Sequence, residues 1–170
     1  YKLKLLMQQA GLTAENRPVV AAALEKAAAT EAPAAALELP DGTVVTGKTT
    51  KLLGASAALL LNALKKLGGI ADDIHLISPV ILEPIQSLKV GHLGNHNPRL
   101  HSDEVLLALS ICAATNPTAQ LAMRQLPKLR NCEFHSSVIL SRQDETLYRK
   151  LGVHVTCEPQ YQTKKLYHAR

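Results

Sequence analysis

The chain has 170 residues, the size of a single domain, and a domain of this length can bury roughly 70% of its unfolded surface. Hydrophobic residues make up 46% of it, which excludes disorder, and no unbroken apolar run approaches the ~18 residues that a membrane span needs. Nineteen Lys and Arg against 14 Asp and Glu leave a net charge of +5. Aromatic residues amount to only 3%, which speaks against a base-stacking platform or an aromatic cage.

Residues 1–10 read as the last turns of a helix ending at Gly11, the residue type favoured just past a helix end. A chain that opens in this way on Tyr1 is expected to be the trimmed part of a longer protein. Thr13 reads as the N-cap of a second helix running to Ala29 and stopped by Pro33. Ten alanines between Val20 and Leu37 raise helix propensity but thin the apolar surface, so close packing is expected. Ala36–Leu39 and Thr43–Gly47 flank Pro40-Asp41-Gly42, a hairpin signal.

A helix over 50–67 follows, with Leu53, Ala57, Leu60, Leu64 and Leu67 on one face and Gly68-Gly69 as its stop. Residues 74–77 read as a short buried strand, and Ser78-Pro79 as the start of a helix that Pro84 kinks and that ends near Lys89. Residues 90–100 are a loop by their Gly, Asn and Pro content. Ser102 caps a buried helix to Ala114, Asn116-Pro117 starts another to Arg130, and 134–140, 142–151 and 153–157 read as strand, helix and strand.

This alternation predicts an α/β fold: a three-layer α-β-α sandwich with a mixed sheet, a β-hairpin followed by parallel strands. The order of elements resembles the cytidine-deaminase-like topology. Three parts are expected: a helical lead-in over 1–30, an α/β domain over 31–160 and a basic tail over 161–170. The tail, with Lys164, Lys165, His168 and Arg170, suits a subunit or interdomain contact at least as well as nucleic acid.

Residues 42–49, GTVVTGKT, fit the phosphate-loop pattern G-x-x-x-x-G-K-[ST]. The β-branched run Thr43-Val44-Val45-Thr46 favours an extended strand instead. The hairpin reading therefore stands, and Lys48 and Thr49 remain as anion-binding candidates at the expected start of the following helix. Zinc deaminase chemistry needs H-x-E and P-C-x-x-C, whereas the matching positions read Thr49-Thr50-Lys51 and Ser78-Pro79-Val80. The densest polar stretch supplies the other ligand candidates, Asn95, His96, Asn97, Arg99, His101 and Glu104. His101 and Glu104, three apart, can share a helix face as an acid/base pair. Two histidines without a third ligand assign no metal. Cys112, Cys132 and Cys157 form no C-x-x-C and are expected as reduced, buried thiols in a cytoplasmic protein, with Cys132 near His135 as a remote dyad.

Four strings, at 39–67, 73–89, 94–119 and 156–168, closely resemble the C-terminal part of a bacterial family known as domain of unknown function 1846. The resemblance implies a longer cytoplasmic protein with an N-terminal portion beyond this chain; it implies no activity, and any cofactor is left unknown. The first reading is an α/β domain that binds a phosphorylated or nucleotide-like small molecule. The alternative is a non-catalytic assembly or oligomerisation domain whose partners are that N-terminal portion or a second copy. A membrane is not expected as a partner, and nucleic acid ranks last.

Overall fold

A computed structural model describes residues 17–161. The readings of the first helix, of Thr13 as a cap and of the basic tail past Tyr161 fall outside the described residues. The described elements are α1 (Pro18–Thr30), β1 (Ala34–Glu38), β2 (Val44–Lys48), α2 (Ala55–Gly68), α3 (Pro79–Ser87), α4 (Ser102–Ala113), α5 (Pro117–Met123), β3 (Glu133–Ser136), α6 (Arg142–Lys150) and β4 (His154–Cys157). A π-helical turn over Leu88–His92 and a 3-10 turn over Leu126–Leu129 complete the order.

The hairpin forms where Asp41 and Gly42 turn the chain. Gly42 takes a φ of 88°, a left-handed conformation open to glycine, and the Asp41 carboxylate accepts the Thr43 N–H at 2.9 Å. The four strands lie in the order β2-β1-β3-β4. β1 is antiparallel to both β2 and β3, and β3 is parallel to β4 across α6. The sheet is thus mixed, but only one of its pairs is parallel.

Residues 74–77 are a loop rather than a strand. Leu76 and Ile77 bury their side chains in the core, but the Ile74 carbonyl goes to Lys65 Nζ at 3.1 Å and its N–H to Ala71 O at 3.1 Å. Both backbone groups of Ile74 are thus spent on a turn and a lysine and cannot start a ladder. The likeness to the deaminase order counted a strand there and reaches no further than a mixed α/β sheet. β3 is shorter than expected because Ser136 closes a turn on Val138, accepting its N–H and donating to its carbonyl. The expected helix over 117–130 divides at Arg124, ahead of Pro127.

Strand alternation sends β1 side chains to two packed faces. Ala36 meets Val19, Val20 and Ala23 of α1. Ala35 and Leu37 join the larger core with Leu59, Leu60 and Leu64 of α2, Leu109 of α4, Phe134 and Tyr148. Each fully buried leucine contributes about 1.5–3 kcal/mol. The alanines of β1 let helices approach from both sides, and Ala34, Ala35 and Ala36 are all fully buried.

α2 lies closer still to β2. A Cβ on Gly47 would stand 2.4 Å from Leu59 N and 2.6 Å from Leu59 Cα. Both are backbone atoms, so no rotamer change relieves the clash. Gly47→Ala is expected to lower stability by roughly 1–3 kcal/mol or more, read as a shift in the denaturant midpoint. An unchanged midpoint would show that β2 and α2 are free to separate.

Candidate functional site

Three helices begin around one cleft of about 430 Å³, lined by Gly54, Ala55 and Ser56 of α2, by His101 ahead of α4, and by Ser141 and Asp144 of α6. Thr49, Asn97, Arg99 and the 136–140 loop close its remaining walls. Backbone pairing sets this arrangement. Leu53 and Leu100 form an isolated parallel bridge, with Leu100 N–H donating to Leu52 O at 2.8 Å and Gly54 N–H to Leu100 O at 3.1 Å. The starts of α2 and α4 are thereby fixed side by side.

Asp144 fastens α6 to them. Its Oδ1 accepts the Ser102 N–H at 2.8 Å and the Ser102 hydroxyl at 2.5 Å, while its Oδ2 accepts the Ser141 hydroxyl at 3.0 Å and faces His101 Nδ1 at 3.4 Å. Burial by itself pushes this carboxyl up, but the hydrogen bonds from His101 and Ser102 outweigh it and hold Asp144 below its ordinary value. The same hydrogen bond raises His101 above its ordinary value against the opposing effect of burial. One turn further along α6, the buried Tyr148 hydroxyl donates to Ser56 O at 2.6 Å.

The capping of the three helices differs. At α4 the Ser102 N–H is taken by Asp144, and Glu104 reaches back to the His101 N–H at 2.8 Å. At α6 Ser141 Oγ accepts the Asp144 N–H at 3.2 Å. α2 follows Gly54 with no side-chain cap, and its first two residues, Ala55 and Ser56, line the cleft, at a helix start whose first N–H groups have no intrahelical acceptor. Arg99 is nearly buried in the wall, with its Nε donating to Thr50 O at 2.5 Å.

The predicted residues separate into groups. Thr49, Asn97, Arg99 and His101 line this cleft. Asn97 shapes the turn, its Oδ1 accepting the Arg99 N–H at 3.0 Å. Lys48 lines a different cavity, because neighbouring residues leaving β2 face apart. Lys48 and Thr49 do not open a helix: Thr50 ties into Leu53 in both directions, and α2 begins only at Ala55. Asn95 and His96 are exposed and border neither cavity. Glu104 accepts from the buried Lys89 ammonium at 2.8 Å as well as from His101 N–H, which engages its carboxylate in structure rather than acid/base work with His101.

Sequence reasoning missed Asp144, Ser102, Ser141 and Lys89. Ser141-Arg142-Gln143-Asp144 carries the signature of a helix start, and Asp144 reads there as a dipole partner only. Its burial against a distant helix has no local signal.

Ser141, His101 and Asp144 do not form a nucleophilic triad. Ser141 Oγ and Asp144 Oδ2 both lie at His101 Nδ1, at 3.3 Å and 3.4 Å, whereas a triad places serine and carboxylate on opposite ring nitrogens. The Cys132–His135 dyad is also unformed: burial pushes the Cys132 thiol up, and His135 is engaged by Thr156 and Glu158. Among the described residues, no group of three or more His, Cys, Asp or Glu is placed to hold a metal ion.

Because folding raises the His101 pKa, the protonated imidazole stabilises the clasp fully below its unfolded value of about 6.5, and that contribution fades as pH rises through the folded value. Asp144, lowered on folding, contributes above about 3.9 and loses its effect as pH falls through its own folded value. His101→Gln is expected to flatten the fall in stability above about pH 6.5, measured by denaturant titration at a series of pH values. Parallel profiles for variant and parent would dissociate His101 from the clasp. Asp144→Ala, which strands buried donors, is expected to cost about 3–5 kcal/mol.

The family described as domain of unknown function DUF1846, C-terminal, matches residues 15–167. A UPF0371 protein of Corynebacterium urealyticum is 54% identical over 169 residues, covering 99% of this chain and 34% of that protein. A UPF0371 protein of Corynebacterium glutamicum shows the same identity and coverage. One from Streptococcus pyogenes serotype M5 is 52% identical over 166 residues, again across 34% of its length. The chain therefore spans about a third of the curated relatives it matches. With the family match running through α1, all four strands and all three helix starts of the cleft, this chain belongs to the DUF1846 family and corresponds to its C-terminal domain.

Proposed function

We propose that this domain binds a small phosphorylated molecule in the cleft at the starts of α2, α4 and α6. The observation that carries the reading is the uncapped start of α2 facing the same 430 Å³ cleft as Arg99 and His101. First-turn N–H groups and the helix dipole favour an anion. A guanidinium fork suits phosphate oxygens, and an imidazole with a raised pKa adds a titratable cation. The cleft volume falls within the range of small-molecule sites. The phosphate would lie against Ala55 and Ser56, with its organic part toward the 136–140 loop and Tyr161.

Binding is expected to weaken as pH rises through the His101 pKa and to lose that dependence in His101→Gln. The test is calorimetry of the full-length protein with inorganic pyrophosphate and a panel of sugar phosphates and nucleotides, which reads affinity directly. A ligand at one hundred times its Kd stabilises the fold by ~2.7 kcal/mol, so a thermal-shift screen finds the class first. Arg99→Lys, which keeps the charge and loses the fork, is expected to weaken binding about tenfold. No phosphorylated ligand binding, or binding indifferent to both substitutions, would overturn the reading.

A second reading has its own observation. Leu107 and Ile111, one turn apart on α4, are 67% and 71% exposed, and the relatives carry roughly twice this length again outside the matched region. On this reading the α4 face docks on the rest of the polypeptide. Leu107→Asp with Ile111→Asp is then expected to leave the domain folded but to expose the junction to limited proteolysis in the full-length protein. Cleavage unchanged from the parent would set the docking reading aside.

A further inference from the structure

A second cavity, of about 510 Å³, lies along β2, which is an edge strand of the sheet. Its charged rim and its floor differ in character. Lys26 of α1, Lys48 of β2, Lys51 of the following turn and Lys65 of α2 all border it, together with His75. No Asp or Glu is among its lining residues. The floor is aliphatic, with Leu53, Leu61, Leu76, Ile77 and Leu82, of which the last four are buried.

A lysine on an edge strand is a common guard against strand pairing, and that accounts for Lys48. It does not account for the other three, which arrive from separate elements. Bringing four ammonium groups to one cavity without a carboxylate costs repulsion, and the cost is offset when an anion enters. Lys65 is held in place, its Nζ donating to Asp72 O at 2.9 Å and Ile74 O at 3.1 Å. The cavity depends on the close approach of β2 and α2 at Gly47, which also lines it.

The geometry points to a binding site for a single-chain aliphatic anion, with its chain on the leucine-lined floor and a phosphate or carboxylate head among Lys26, Lys48 and Lys51. A nucleotide fits less well, since no Phe, Tyr or Trp lines the cavity to stack on a base. Lysine stems lie along apolar surface while their heads reach outward, so rim and floor serve one amphiphile together. The site shares none of Arg99, His101 or the α2 start with the phosphate cleft and stands independently of it.

Calorimetry of the full-length protein with dodecyl phosphate, below its micelle-forming concentration, tests the site. One molecule is expected to bind per chain, and Lys48→Gln with Lys51→Gln is expected to weaken it by about tenfold or more. The matched charge change Arg124→Gln with Lys128→Gln, on exposed residues away from the cavity, is expected to leave affinity within about twofold. Ala58→Leu, which pushes a larger side chain into the cavity from α2, is expected to abolish binding while circular dichroism shows a folded protein. Laurate in place of dodecyl phosphate distinguishes a carboxylate head from a phosphate head. Absent saturation, equal affinity for dodecyltrimethylammonium, or affinity unmoved by both cavity variants would overturn the proposal. Pyrophosphate binding indifferent to Arg99→Lys and His101→Gln bears on the other cleft alone, so the two failures are distinguishable.

Discussion

The Asp144 carboxylate is the constraint on which the candidate cleft depends. A buried charge survives only when its lone pairs are met, and here a backbone N–H, two serine hydroxyls and an imidazole meet them. Those partners belong to the starts of two helices that are 40 residues apart in sequence, so satisfying the carboxylate fixes how α4 and α6 sit. Tyr148, on the same face of α6, carries the constraint to the backbone of Ser56 in α2. Its ring also packs on Phe134 of β3, with centroids 4.6 Å apart. One helix thus positions the other two helix starts and seats itself on the sheet.

The end of β2 divides the cationic surface. Lys48 belongs to a lysine-rimmed, aliphatic cavity and Thr49 to the cleft at the helix starts. The two sites differ in how their charge is held. Arg99 is nearly buried and His101 is hydrogen-bonded to Asp144, so their positions are set by packing. The lysines other than Lys65 reach their cavity on flexible stems. On the two proposals, the cleft whose groups are set by packing would take a compact phosphate, and the cationic rim over leucines a chain with a charged head.

Much of the fold is legible locally. Asp41-Gly42 announces the hairpin, Gly69 the end of α2, and Ser78, Asn116 and Ser141 the starts of three helices, each with a side chain that accepts a backbone N–H. Residues 74–77 are the instructive exception. Four apolar residues between turn signals have the composition of a strand, but strand character requires a neighbour with free backbone groups. At Ile74, a turn and the Lys65 ammonium take those groups instead. Thr50 misleads for a similar reason: it has the composition of a helix cap, and its hydroxyl instead closes a turn ahead of the Leu53–Leu100 bridge.

By itself, the sequence determined the mixed α/β class, the hairpin over a phosphate-loop-like string and the bounds of α3, α4 and α6 to within about two residues, because turn chemistry and capping act over a few residues, while four long strings carried the resemblance to the DUF1846 family. It also identified the 95–104 stretch as polar beyond what a loop needs. Only the tertiary structure decided that Arg99 and His101 face the uncapped start of α2, that Glu104 is engaged by Lys89, and that Lys48 serves another cavity. Asp144 became the centre of the cleft in the same way. These outcomes depend on which distant segments meet, and a carboxylate on a helix's first turn has the same sequence whether it faces water or a buried serine.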